Sequence, residues 1–397
     1  MLSTFIMIVV LGTGGLLLHP GLSGATLWRA TITPLASIIG SGFLVIGPIL
    51  HSKFGAMSPV VMCVLCGGAY LFGAAIRHNI ASIDRNPNAR SPLERGLENI
   101  ASWALVFAYV ISVAYYLNLF GAFGLSLTDL NDAFSARLLT TAVFLVILGI
   151  GWLYGFTALE RVEQVTVGIK LAIIAGLLFG LGWYFVGKVG DGKLVVEAPA
   201  LTGWAGVTLV FGLVVTVQGF ETSRYLGGEY DAITRIRSMK LAQWLSSVIY
   251  MTYIVLLTFS FEHGEIALDE TAIIALMAFV APILSVLLVA AALSAQFSAA
   301  IADAVGSGGL IGELTRNRLQ PRGAYLILVV AGLTLTWTSG VFDIISYASR
   351  AFAMYYGLQS AIAALAARRQ GQLVRASGFC LLAALAAAIT VFGVSVE

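Results

Sequence analysis

The sequence predicts an all-α membrane protein of about twelve transmembrane helices, ten of them in two five-helix units of opposite orientation. Three observations predict it. Apolar residues fill 59% of 397 positions and charged residues only 11%, with a mean hydropathy of +0.94, far from the roughly one-quarter charged average of soluble domains. The apolar runs are about 17 to 30 residues long, and at 1.5 Å rise per residue each can cross a hydrocarbon core about 30 Å thick. Finally, two glycine-interrupted segments and two intramembrane cations recur at nearly the same offset along the chain.

Taken in order, the hydropathy breaks place spans at about 3–19, 33–51, 57–77, 98–124, 138–156 and 163–187, then at about 204–224, 240–262, 271–302, 322–340, 342–366 and 372–393. The first, Met1 to His19, has neither the basic n-region nor the A-x-A site of a signal peptide and is expected to remain as a helix. Orientation follows from Lys and Arg, which favour cytoplasmic loops. Arg29; Arg77, Arg85, Arg90 and Arg95; Arg161; Arg224, Arg235, Arg237 and Lys240; Arg316, Arg318 and Arg322; and Arg368, Arg369 and Arg375 all fall on one set of alternate loops. The opposite set carries only Lys53, Arg137, Lys188 and Lys193. Adding or dropping one helix would scramble this division. The expectation is a multi-pass protein of the inner (plasma) membrane with both termini outside. The longest loop, about 78–97, leaves no room for a separate soluble domain. Residues 1–30 are read as an extra N-terminal helix, 31–200 as the first five-helix unit, 201–368 as the second and inverted unit, and 369–397 as a C-terminal helix.

Several chemistries find no support. Cys63 and Cys66 form a C-x-x-C inside a membrane helix, away from the βα context of a redox motif. His19, His51, His78 and His263 sit near span ends without a second ligand at i+4, so neither a metal, nor a cofactor, nor a catalytic residue is expected. The net charge of +2 comes from the loops and needs no nucleic-acid partner.

The informative features are breaks and charges inside the membrane. The second span carries Ile39, Gly40, Ser41, Gly42 and Phe43, followed by Pro48; the seventh carries Gln218, Gly219, Phe220 and Glu221. A lone glycine pair is weak evidence, because glycines also let membrane helices pack closely. Matching breaks in two halves point to discontinuous helices that build a midplane site, and Gly40 and Gly219 are 179 residues apart. Lys170 and Arg350, the intramembrane cations, are 180 apart. Five spans per unit is an odd number, so the second unit must be inverted relative to the first.

A broken helix frees backbone N–H and C=O groups that hydrocarbon cannot satisfy, so it persists only where protein or a hydrated cavity receives them. The N-terminal dipole of a half-helix suits a carboxylate, and freed carbonyls suit an ammonium or a cation. Tyr109, Tyr115 and Asn118 could line the same cavity, or the tyrosines could simply pack. Lys170 costs about 2.5–3.5 kcal/mol at the bilayer centre and should face the interior. Ser294 and Ser298, at i and i+4, share a helix face on which that ammonium could rest. Glu221 is either a carboxylate that titrates during transport or a paired strut. Asp303 reads as a solvated residue near the cytoplasmic end, and Arg350 with Asp343, at i and i+7, as a pair ordering its helix.

Thr33 to Leu50, TPLASIIGSGFLVIGPIL, resembles the first core helix of the amino acid/polyamine/organocation (APC) superfamily, and Val215 to Arg224, VTVQGFETSR, resembles its sixth. Lys170 stands where many members carry a lysine in the fifth core helix. The resemblance covers about 33–393 and implies the LeuT-type five-plus-five fold, with substrate at the broken first and sixth core helices. It also implies that in sodium-coupled relatives carbonyls of the first core helix and hydroxyls of the eighth hold an ion near this lysine. The chain departs from the pattern after the sixth helix, where Gly228 to Arg235 lacks the N-P-R-like turn, and before it, where Val215 and Val217 stand in place of an aromatic.

Together these readings imply a secondary active transporter that moves an amino acid or related small organic solute by alternating access. It is expected to be sodium-independent, and proton-coupled or exchanging. The alternatives are a channel, which should show a filter loop or rings of like charge, and a membrane enzyme, which should show convergent His, carboxylate or Cys chemistry. The expected partners are the solute and the lipid bilayer, with the chain a monomer or homodimer.

Overall fold

A computed structural model of the chain describes residues 1–40, 42–85, 90–153, 163–262, 268–316, 318 and 321–396. Among these, all regular structure is helical. The helices are α1 (Leu2–Leu18), α2 (Pro20–Ser23), α3 (Thr26–Ile38), α4 (Gly42–Phe54), α5 (Ser58–Arg85), α6 (Pro92–Leu125), α7 (Ala133–Leu153) and α8 (Glu163–Gly190). They continue with α9 (Gly203–Gly212), α10 (Thr222–Tyr225), α11 (Ala232–Thr258), α12 (Ala272–Val280), α13 (Pro282–Leu314), α14 (Pro321–Thr338), α15 (Val341–Arg369) and α16 (Leu373–Phe392).

Local chemistry sets several boundaries. Ser91 caps α6 by accepting from the Glu94 amide at 3.2 Å, while the Glu94 carboxylate accepts from the Ser91 amide at 2.6 Å, with Pro92 at the first helical position. This reciprocal box satisfies two donors that an uncapped helix leaves free. Asp231 accepts from the Thr234 amide at 2.9 Å to start α11, and Asp343 accepts from the Gly340 amide at 3.2 Å to start α15. The expected loop at 78–97 is shorter than the hydropathy suggested, because α5 runs on to Arg85 and α6 begins at Pro92. The expected span at 271–302 is divided. Pro282 has no amide proton and drives Ala281 to extended backbone (φ −162°, ψ 130°), so α12 ends there and α13 starts afresh.

Among the described residues, six stretches are long and apolar enough to cross a bilayer: Gly42–Arg85, Pro92–Leu125, Thr166–Gly190, Ala232–Thr258, Pro282–Leu314 and Leu373–Phe392. Leu2–Leu18, Ala133–Gly149, Gly203–Gly212 and Gly323–Thr338 are shorter apolar helices. α15 falls outside both groups because its buried face is polar, with Ser346, Ser349, Tyr355, Tyr356, Gln359 and Ser360 all shielded by protein. A helix wrapped by other helices does not have to satisfy lipid.

The core forms around α6, which packs against α13 and α15, with α16 on the far side of α15 and α1 laid along α8. Small residues allow the close approaches, as in membrane helix packing generally. At Gly121 of α6 a β-carbon would run into the Thr140 hydroxyl and the Ala136 carbonyl of α7. At the C-terminus, Val394 donates to the Thr208 carbonyl of α9 at 3.1 Å, in space left by the absent side chain of Gly212.

Gly121→Val is expected to destabilise the chain by about 1–3 kcal/mol through overpacking, read as a lower midpoint of thermal unfolding of the detergent-purified protein. Gly187→Val, where a β-carbon meets nothing within 4 Å, is expected to stay within about 0.5 kcal/mol of the parent. Equal effects at the two positions would remove Gly121 from the packing account.

Candidate functional site

Two helices break against each other in the middle of the protein. α3 ends at Ile38, Ile39 leaves helical geometry (φ −84°, ψ 54°), and α4 resumes at Gly42. α9 ends at Gly212 and gives way to a 3-10 turn over Val214–Val217; Gln218 is extended (φ −82°, ψ 172°), and α10 follows from Thr222. Gly219 has φ +120°, a region that side chains strongly disfavour. A β-carbon there would also lie 2.6 Å from the Ile38 amide nitrogen. One on Gly42 would lie 2.6 Å from the Thr216 α-carbon. The two glycines are therefore the points at which the breaks touch.

Side chains from the surrounding helices receive the freed backbone groups. The Tyr250 hydroxyl of α11 lies 3.0 Å from the Ile38 carbonyl and 2.5 Å from the Thr216 carbonyl, so its single proton is shared between the two breaks. Ser349 of α15 donates to the Gly212 carbonyl at 2.7 Å and accepts from the Val215 amide at 2.9 Å. Lys170 of α8 donates to the Ala36 carbonyl at 2.8 Å, one turn before the first break. Thr216 folds its hydroxyl back onto the Leu213 carbonyl at 2.6 Å.

Around the second break the polar groups are buried and partly unfilled. One Glu221 oxygen accepts from the Gly219 amide at 3.0 Å and from the Tyr356 hydroxyl at 2.9 Å; the other has no partner among the described residues. Gln218 donates to the Tyr116 hydroxyl at 2.9 Å, and its side-chain carbonyl oxygen is buried without a partner among the described residues. Phe220 stacks on Tyr356 with ring centroids 5.0 Å apart, and Phe43 packs on Tyr253 at 4.5 Å. A cavity of about 10 Å³, room for about one water, lies behind the breaks against Ile38, Val217, Gln243 and Tyr250. The site is packed shut.

Below it, in the direction of the arginine-rich loops, Glu98 of α6 pairs with Arg224 at 2.6 Å and with Arg90 at 2.8 Å. Glu94 pairs with Arg369 at the end of α15. Arg235 donates to the Arg224 carbonyl at 2.9 Å. These pairs join α6, α10, α11 and α15 under the second break.

Of the residues singled out from sequence, Ile39, Gly40, Gly42, Phe43, Gln218, Gly219, Phe220 and Glu221 lie at the two breaks, with Lys170 one turn away. Ser41 lies outside the described residues. Tyr109 and Tyr115 are buried on α6, Tyr109 against Phe352 and Tyr115 against Tyr116. Ser294 and Ser298 are half-buried on α13. Three readings need correction. Asn118 ties α6 to α14 by donating to the Thr336 hydroxyl at 2.8 Å. Arg350 does not pair with Asp343, which is held at its own helix start; it donates to the Thr390 carbonyl of α16 at 2.7 Å. Asp303 is buried and hydrogen-bonded to Ser112 rather than solvated. Tyr116, Tyr250, Ser349 and Tyr356 were missed. Their only signal is a side-chain hydroxyl on a helix, which many non-functional positions share.

A family model described as "APC superfamily transporter" matches residues 20–393. A protein of Aquifex aeolicus (strain VF5), described as an uncharacterized protein, is 40% identical over an alignment of 393 residues that covers 96% of this chain and 94% of that protein. The multi-pass helical architecture and the match along almost its whole length agree, and the chain belongs to the APC superfamily of transporters.

Proposed function

We propose that the chain moves an amino acid or a related small organic solute across the membrane by alternating access, bound at the paired breaks, without sodium and with protons or a counter-solute as the coupled species. The observation that carries this reading is the contact between the breaks. Irregular backbone deep in a helical bundle is costly unless something uses it, and here it lies beside oxygens of Gln218 and Glu221 that have no partner among the described residues. The N-terminal end of α4 suits a substrate carboxylate, and the carbonyls that close α3 suit its ammonium group.

The reading includes two five-helix units, 31–200 and 201–368, related by inversion, flanked by 1–30 and 369–397, with both termini outside. The offset between the breaks supports it in a way the cations do not. Adding the same 179 residues to Lys170 and Ala36 gives Ser349 and Val215. Lys170 bonds the Ala36 carbonyl and Ser349 bonds the Val215 amide. Each unit thus fastens its broken helix to its fifth helix at matching positions. Arg350, one residue further on, is rotated by about 100°.

Two expectations follow from the breaks and from Lys170. In a thermal-stability screen of purified protein against amino acids, amines and nucleobases, a true ligand at 100 times its Kd stabilises by about 2.7 kcal/mol. Gly42→Leu and Gly219→Ala are expected to lose that stabilisation, whereas Gly187→Ala keeps it. Retained binding in folded Gly219→Ala would move the site away from the breaks, and counterflow of the same ligand in proteoliposomes separates a carrier from a channel or an enzyme.

Solute uptake is expected to be equal when sodium is replaced by choline at fixed pH and membrane potential. The Lys170 ammonium occupies the carbonyl at which a coupling cation would bind, and two unit charges about 4 Å apart repel by about 4 kcal/mol at an effective dielectric of 20. A large loss of uptake on that replacement would defeat the sodium-free part of the reading and leave the carrier part standing.

A further inference from the structure

α13 has two polar faces, and the one visible as a serine pair is not the buried one. At about 100° per residue, Ser285, Gln296, Asp303 and Ser307 fall within about 40° of each other around the helix, and Ser294 and Ser298 fall roughly opposite. All four residues of the first set are buried. The file they make is about 33 Å long, close to the full hydrocarbon thickness. Ser285 is occupied by the Ile274 carbonyl at 3.0 Å. Both polar ends of Gln296 and the Ser307 hydroxyl have no partner among the described residues.

Asp303 lies between them, a buried carboxyl with no positive charge beside it among the described residues. Its carboxyl meets the Ser112 hydroxyl of α6, and that same hydroxyl lies 3.0 Å from the Tyr109 carbonyl. A serine hydroxyl has one proton, while a carboxylate and a carbonyl are both acceptors. One contact must then lack a proton. If the carboxyl carries a proton, it donates to the Ser112 oxygen and Ser112 donates to the Tyr109 carbonyl, so both contacts hold a proton. No cation pairs with Asp303 among the described residues. The ionisable groups within electrostatic reach are the Glu221 carboxyl from the second break and the Tyr109 and Tyr116 hydroxyls of α6, none of which supplies a positive charge.

We propose that Asp303 is a proton-binding residue of the membrane interior, holding at neutral pH a proton taken from water, with the Ser112 hydroxyl as its acceptor. The group cycles between a neutral carboxylic acid in this packed arrangement and a carboxylate once water reaches it. As the seat of a coupling proton it rests on the transport reading above, but its protonation does not.

The test is infrared spectroscopy of the full chain in lipid at pH 7, prepared with and without carboxyl-13C aspartate. Asp303 is the only one of the eight aspartates that is buried, so an isotope-sensitive acid carbonyl band belongs to it. The expected result is such a band in the parent protein, its loss in Asp303→Asn, and a shift to higher frequency in Ser112→Ala as the acid loses its acceptor. Absence of an isotope-sensitive acid band in the parent protein would overturn the proposal. The isotope pair decides this even if Asp303→Asn does not fold, and persistence of the band in folded Asp303→Asn would overturn it equally. An unmoved band in Ser112→Ala would refute the pairing with Ser112. Failure of solute counterflow leaves the band where it is, so the two readings fail separately.

Discussion

A hydrocarbon environment offers no hydrogen bonds, and everything at the centre of this protein follows from having two broken helices there. Breaking α3 from α4, and α9 from α10, leaves carbonyls and amides that must be met from inside the bundle. Three side chains from three different helices meet them: Tyr250 from α11, Ser349 from α15 and Lys170 from α8. None of these contacts forms unless the helices are already packed. The breaks therefore depend on the bundle, and the bundle is organised around the breaks.

Much of the framework was legible in the sequence because it answers to local rules. Helix positions follow from apolar runs, and Gly40, Gly42 and Gly219 mark the breaks because close backbone approach, and at Gly219 a positive φ, exclude a side chain. What remained hidden is set by geometry between distant segments. Tyr116 meets Gln218 at the second break, and nothing in its apolar surroundings along the sequence sets it apart from its neighbour Tyr115. A single-residue turn of about 100° separates Ser349, which meets the broken helix, from Arg350, which reaches α16. Asp303 was misjudged for a different reason. The hydropathy ended its span at about 302, whereas α13 continues to Leu314, so a residue read as lying at the membrane edge is about 16 Å inside the helix end.

The polar content of the interior is distributed by helix rather than by depth. α15 presents a polar face to α6 and the second break and so falls short of the hydropathy of a free-standing span, while α13 hides its polar file and remains strongly apolar overall. Hydropathy reports what a helix would show to lipid, and it is blind to which side of a helix is turned inward.

The Tyr250 hydroxyl has one proton and two carbonyls within reach, Ile38 on one break and Thr216 on the other. It lies nearer the Thr216 carbonyl, at 2.5 Å against 3.0 Å for Ile38. Were a positive charge to take one carbonyl, the hydroxyl would be left to the other. Two segments far apart in the chain thereby share a single either/or choice, made by the position of one hydrogen atom.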